Sequence, residues 1–424
     1  MGTHLPNEIW EKIFLKLSWT NLMICRHVCK SWNELIEDII KVRKLEEKIQ
    51  ENWYRGDPNF EGTSFNIHPS QSLSNLLFTG QGISLISEMS QVTVVDVSFD
   101  SLWILKTEGI ISGQATEDII IIERFSYDND CNTLEIWNRI SKNRIGNIEL
   151  EDPNKSGVYK CYKTTVFIYS KIKAQFSSVE VSTREEKIVE KISYYTPHFN
   201  PYLASDLWKD SVPESEMNIG MVEASPSQAV LKLYAKDLMT LVYFHIDKVE
   251  RKITRKFDTA SITYWLTKEI LQLKIIDHFV ITMVQSPNKW LSNMLKMTVY
   301  DQRRKGRKRV AHFWARIEPL SNSYSPENCL LDCQDGNLLF TMDTSRIYVF
   351  NLESLCRAYP EESYNCLQTT DNFDFQSKIL EVDIKRPNNF YSPHIGVDKT
   401  SITILHYPMM PFLPAEIKKF NFWT

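Results

Sequence analysis

Seven times along this chain an alternating apolar run ends in a bulky side chain followed by a polar or acidic residue. The runs are VTVVD ending at Asp96, LEIWN at Asn138, VEVS at Ser182, YFHID at Asp247, MTVYD at Asp301, IYVFN at Asn351 and ITILH at His406. Subtracting successive end positions gives intervals of 42, 44, 65, 54, 50 and 55 residues. A period of two is a strand signal, because successive side chains of a strand leave on opposite faces. After each run comes a polar turn and a further strand-like segment, such as RIGNIELE, KIVEKISYY or RVAHFWARI; the last, AEIKKFNFWT, reaches Thr424. No long helical pattern interrupts the chain from Thr63 onward. A repeat of this length predicts small antiparallel sheets that bury their faces only by stacking on one another. The recurrences predict seven such units; six or eight also suit the spacing, and a β-sandwich is the competing architecture.

The N-terminus is built differently. LPNEIWEKIFLKLSWTNLMICRHVCKSWNELI runs from Leu5 to Ile36 and is rich in apolar side chains. Pro6 reads as the first helical position, where its missing N–H costs nothing. Glu8 and Glu11 suit the positive end of the helix dipole. Ile9, Ile13, Phe14 and Leu17 share one face at helical spacing. Thr20 reads as the cap of a second helix carrying Leu22, Cys25 and Val28. A third carries Trp32, Leu35, Ile36 and Ile39. Three short helices cannot bury this much apolar surface among themselves, so either the rest of the chain or a partner protein covers them.

The order Leu5-Pro6, Glu8-Ile9, Ile13, Leu17, Leu22, Val28-Cys29 and Lys30-Ser31-Trp32 closely resembles the F-box motif. That resemblance implies docking onto the Skp-type adaptor of a cullin-based ubiquitin ligase, through Leu5, Pro6, Ile9, Ile13, Leu17, Leu22, Val28 and Trp32. ELIEDIIKVRKLEEKIQENW continues as a helix of mixed charge, which suits a solvated linker. Asn52-Trp53-Tyr54-Arg55-Gly56 is similar to the segment preceding the propeller in F-box proteins of the Trp-Asp repeat type. LEIWN and MTVYD best match degenerate Trp-Asp signatures; the family's Gly-His dipeptide is absent, and 13 glycines are too few for a kelch-type propeller. The expected organisation is a three-helix F-box at 1–42, a helical linker at 43–58 and a seven-bladed, WD-like β-propeller at 59–424, an α plus all-β chain.

Composition narrows the function classes. The formal net charge is -4 and the pI about 6.2, which speaks against chain-wide nucleic-acid binding. No apolar run is long enough for a membrane span, and Asn7, Glu8, Glu11 and Lys12 interrupt any signal-peptide pattern. Eight cysteines in 424 residues read as free thiols of a reducing compartment, the cytoplasm or nucleus. The sequon Asn154-Lys155-Ser156 is expected to be unused there.

No H-E-x-x-H, P-loop or G-x-S-x-G motif occurs. Gly80-Gln81-Gly82 reads as a turn, and His245 and His406 as packing residues on strands. No catalytic residue, cofactor or metal site is predicted. QRRKGRKR (302–309) is the one dense basic run, expected at a hairpin tip, either as a solvated turn or as a nuclear-import or acidic-partner contact. The longest interval contains TPHFNPYLASDLWKDSVPESEM, whose Phe199, Tyr202 and Trp208 are candidate contacts to a target protein. The function so implied is a substrate receptor: F-box on the adaptor, propeller on a target to be ubiquitinated. A propeller scaffold in a non-ligase complex, or an enzyme housed in the propeller, are the alternatives.

Overall fold

The computed structural model describes residues 5–17, 19–26, 28–55, 59–65, 75–80, 82–88, 90–96, 101–126, 131–150, 158–170, 173, 175–194, 218–235, 238–255, 264–265, 270–276, 278–285, 294–301, 303, 309–316, 331–334, 337–341, 346–353, 378–381, 394–397, 401–406 and 415–422. Cα packing divides the chain into two compact units: Met1–Lys106 with Thr344–Val349 and Lys378–Thr424, and Thr107–Asp343 with Phe350–Ser377.

Four helices open the first unit: α1 (Asn7–Phe14), α2 (Trp19–Arg26), α3 (Lys30–Val42) and α4 (Leu45–Arg55). Pro6 is the N-cap of α1, one position earlier than its residue type suggests. Its ψ of 149° keeps it extended, while its carbonyl accepts the N–H groups of Ile9 at 3.0 Å and Trp10 at 3.2 Å. Helix α2 begins at Trp19, so Thr20 lies inside it. The expected continuous helix after Trp32 is broken at Arg43-Lys44. Lys44 adopts a left-handed φ of 51°, which costs a non-glycine residue about 1 kcal/mol. The break turns Leu45 and Ile49 of α4 inward, and both are buried. The linker helix is therefore anchored along one stripe rather than solvated all round.

Strand β1 (Asn59–Phe65) follows. β2 (Asn75–Gly80), β3 (Ile83–Glu88), β4 (Gln91–Asp96) and β5 (Ser101–Lys106) then form a four-stranded antiparallel meander. In the second unit, β6 (Ile110–Ala115), β7 (Ile119–Ser126), β8 (Cys131–Asn138) and β9 (Arg144–Glu149) form another. The next comprises β10 (Val158–Tyr162), β11 (Thr165–Ser170), β12 (Gln175–Ser182) and β13 (Lys187–Tyr194). β14 (Asn218–Ser225), β15 (Gln228–Ala235), β16 (Leu238–Asp247) and β17 (Lys252–Arg255) make the fourth meander, in which β18 (Tyr264–Trp265) also pairs with β16. β19 (Ile270–Ile276), β20 (Phe279–Gln285), β21 (Met294–Asp301) and β22 (Arg309–Arg316) make the fifth. β23 (Leu331–Gln334) pairs with β24 (Asn337–Thr341), and β25 (Arg346–Asn351) with β26 (Lys378–Glu381). Last come β27 (His394–Val397), β28 (Ser401–His406) and β29 (Ala415–Asn421).

These last three strands do not make a sheet by themselves. β29 pairs on one side with β28 and on the other with β1, in a register running from Asn59 opposite Asn421 to Phe65 opposite Ala415. AEIKKFN is thus an inner strand, not the outer one its position in the sequence suggests.

Every recurrent run ends a strand: Asp96 ends β4, Asn138 β8, Ser182 β12, Asp247 β16, Asp301 β21, Asn351 β25 and His406 β28. The polar end residue has a local function where the following turn is described. Asn138 Oδ1 accepts the N–H groups of Ile140 at 2.9 Å and Ser141 at 3.2 Å. Asp247 Oδ1 accepts those of Val249 and Glu250 at 2.9 and 3.0 Å, and Asp301 Oδ1 that of Arg303 at 2.9 Å. A short side chain that satisfies the next backbone donors ends a strand in a tight turn.

The core follows from alternation along strands buried on both faces. Val166 and Ile168 of β11 pack with Ile119, Ile121, Leu134 and Ile136 of the preceding sheet. Phe167 and Tyr169, pointing the other way, pack with Leu231, Leu233 and Phe244 of the following one. Each such side chain fully removed from water contributes about 1.5–3 kcal/mol. Of the two histidines read as packing residues, His406 is fully buried, as expected. His245 is exposed, because it faces away from the cluster that holds Phe244 and Ile246.

Candidate docking surface on the N-terminal helices

Helix α1 presents two different apolar faces. Trp10 and Phe14, four residues apart, turn toward α3, where Trp32 meets them. Ring centroids are 4.5 Å apart for Trp10 and Trp32, 5.2 Å for Phe14 and Trp32, and 5.8 Å for Trp10 and Phe14. Phe14, Leu22, Ile36 and Ile39 are buried and form the small core of the helices. Leu5 precedes the N-cap of α1, and Ile9 and Ile13, four residues apart, lie along another side of the helix. They are 44%, 40% and 39% exposed. Val28, in the turn between α2 and α3, is 60% exposed.

An apolar strip of this kind left in water is unfavourable unless something covers it. Of the residues expected to dock, Leu5, Pro6, Ile9, Ile13 and Val28 stand exposed, and Leu17 and Trp32 are half-buried. Leu22 is 1% exposed, so it supports the surface from beneath. Ile9 and Phe14, read from spacing as one face, belong to two different ones. Trp10 and the exposed Leu15 escaped the sequence reading. The available signal was Trp10 standing four residues before Phe14.

Ion pairs brace the helices. Arg43, just past α3, reaches Glu11 of α1 at 2.9 Å. Arg26 of α2 reaches Glu37 of α3 at 2.6 Å and Asn33 at 2.9 Å. All are partly exposed, so each contributes little on its own. The stronger tie is between α4 and the chain's end: Asn52 Nδ2 donates to the carbonyl of Phe422 at 2.9 Å.

Residues 3–44 match the family model described as F-box-like. The chain carries an F-box-like domain at its N-terminus. Its exposed strip is thus the part of an F-box-like domain that remains open to solvent. No curated protein matches the chain in sequence. Among solved structures, the chain is similar to the Dos1 propeller, with 9% identity, 86% of this chain and 94% of that one covered, and a TM-score of 0.44. It is similar to Kluyveromyces lactis Hsv2 at 10% identity, with coverages of 80% and 91% and a TM-score of 0.41. The β-propeller domain of the Trilobed protease from Pyrococcus furiosus gives 8%, 83%, 97% and 0.40 for the same quantities. These likenesses are too distant for any function to pass from them to this chain.

Several polar groups elsewhere are engaged in structural contacts. The buried carboxylate of Glu123 accepts from Ser112 at 2.7 Å and Asn132 at 3.1 Å. Burial raises the Tyr159 hydroxyl far above its ordinary pKa, and it lies 2.8 Å from Ser112 Oγ. Arg303, in the basic run, is held by Asp301 at 2.9 Å and by Glu353 at 3.0 Å; the run's residues 302 and 304–308 lie outside the described residues. So do Phe199, Tyr202 and Trp208. Among the described residues, no group of three or more His, Cys, Asp or Glu could hold a metal ion, and no helix is long and apolar enough to cross a membrane.

Proposed function

We propose that this chain is the substrate-recognition subunit of a Skp–cullin–F-box ubiquitin ligase. The exposed strip of Leu5, Pro6, Ile9, Ile13 and Val28 on an F-box-like domain carries the proposal. In this role the strip docks on a Skp-type adaptor and through it on a cullin. The sheets form a seven-bladed, WD-like propeller, a reading supported by the five four-stranded meanders, the strand pairs β23–β24 and β25–β26, and the sheet completed by β1. One end of it captures the target protein, with Phe199, Tyr202 and Trp208 among the contacts.

The subunit does no bond chemistry of its own in this scheme. It holds target lysines near activated ubiquitin, and the gain is one of effective concentration and orientation. The assembly works in the cytoplasm, the nucleus or both.

The test is affinity purification of the full chain from cells, beside a form lacking residues 1–42, with immunoblots for adaptor and cullin. Recovery of both with the full chain only is the expected result. Recovery of adaptor without cullin would favour a non-ligase scaffold, and recovery of neither would end the proposal.

A further inference from the structure

We infer that Trp10 is a positioning residue for adaptor docking, acting through Trp32; this rests on the docking role proposed above. Helix α1 has 8 residues, little more than two turns, and a helix so short does not hold itself in water. Its direction is set by what it packs on. Trp10 shares that grip with Phe14. Its ring lies at 21° to that of Phe14 and at 56° to that of Trp32, and so fills the angle between α1 and α3.

Neighbouring positions on a helix differ by about 100° around the axis. With Trp10 and Phe14 committed to α3, Ile9 and Ile13 are turned outward together. The other link between α1 and the end of α3, Glu11 to Arg43, is half in solvent and too weak to replace the aromatic grip. Trp32 lies in the same cluster, so part of its effect on docking passes through the orientation of α1.

The experiment measures equilibrium affinity of the full-length protein for a purified Skp-type adaptor, per folded molecule. The variants are Trp10→Ala, Trp10→Phe, Trp32→Ala, the double alanine variant, and Ile36→Val as a core change that leaves the aromatic cluster alone. Trp10→Ala is expected to weaken binding by roughly tenfold or more. Trp10→Phe, which keeps a ring between the helices, should stay within about threefold of wild type, and so should Ile36→Val. The double variant should bind within about threefold of Trp32→Ala, because residues acting through one contact are not additive.

Unchanged affinity in Trp10→Ala overturns the inference. So does a phenylalanine variant as weak as the alanine one, an Ile36→Val variant weakened as much as Trp10→Ala, or a double variant whose loss is the product of the two single losses. In the last case Trp10 touches the adaptor independently. Wild-type protein that does not bind the adaptor would overturn the docking role itself.

Discussion

Asn52 and Phe422 are 370 positions apart, yet the side-chain N–H of one donates to the carbonyl of the other at 2.9 Å. Phe422 is fully buried, and its carbonyl lies just beyond the last strand. The bond ties the linker helix to the sheet that β1 and β29 complete. Asn52→Ala leaves that carbonyl without this donor, and Asn52→Asp replaces the donor with an acceptor. Either change should lower stability by about 1–2 kcal/mol, read as a shift in the urea midpoint. A midpoint equal to wild type would mean that α4 is not held there.

Ile9 and Ile13 are exposed, so replacing both by Asp should leave the fold intact. Adaptor capture should fall by at least about 2 kcal/mol, roughly thirtyfold. Isothermal titration beside a melting curve checks this. Tight binding by the double variant would move the docking surface elsewhere.

Removing residues 415–424 takes away the strand between β1 and β28. Both neighbours would then expose unpaired backbone, a template for aggregation. The 1–414 form should be insoluble or melt far below the parent. A form beginning at residue 66 lacks β1 and should fail in the same way, whereas one beginning at residue 56 keeps β1 and should remain folded.

Asp301 gives a pH dependence. Burial alone would raise its pKa, but the side chain, backbone N–H and charge of Arg303, with His278, outweigh this and hold it below the ordinary 3.8. A carboxyl whose folded pKa is depressed contributes stability above its unfolded pKa. That contribution is lost as the pH falls through the folded pKa, here below 3.8. Asp301→Asn should therefore cost about 1–2 kcal/mol at neutral pH. It should also make the decline in urea midpoint between about pH 5 and pH 3 shallower than in wild type. An unchanged acid slope would show that another carboxyl dominates.

Trp208→Ala tests the proposed target contact. Capture of the target in co-precipitation should weaken by roughly 1–3 kcal/mol, with melting temperature and adaptor binding unchanged. Loss of melting temperature alone would make Trp208 a packing residue.

The repeat was legible because a strand end needs a short polar side chain to close its turn, and Asn138, Asp247 and Asp301 provide one from within the strand. That signal is local. Closure of the last sheet is not: β29 has β28 on one side and on the other β1, which comes from the far end of the chain. Periodicity cannot report a partner several hundred residues away. On α1, spacing found every apolar residue of the docking helix except Trp10, but it merged two faces that are one residue out of step. Which of them α3 covers depends on Trp32, and that is a matter of packing.

The pairing of β1 with β29 has a consequence for biosynthesis. Phe65 and its partner Ala415 are 415 minus 65, or 350, positions apart. At roughly 5–20 residues per second, the ribosome spends on the order of 20–70 seconds between making the first strand and its mate. Throughout that time the N-terminal strand has no native neighbour. A chain released early never acquires one and carries a bare edge that quality-control proteases and chaperones can recognise. Completion of this sheet thereby reports that translation has passed β29.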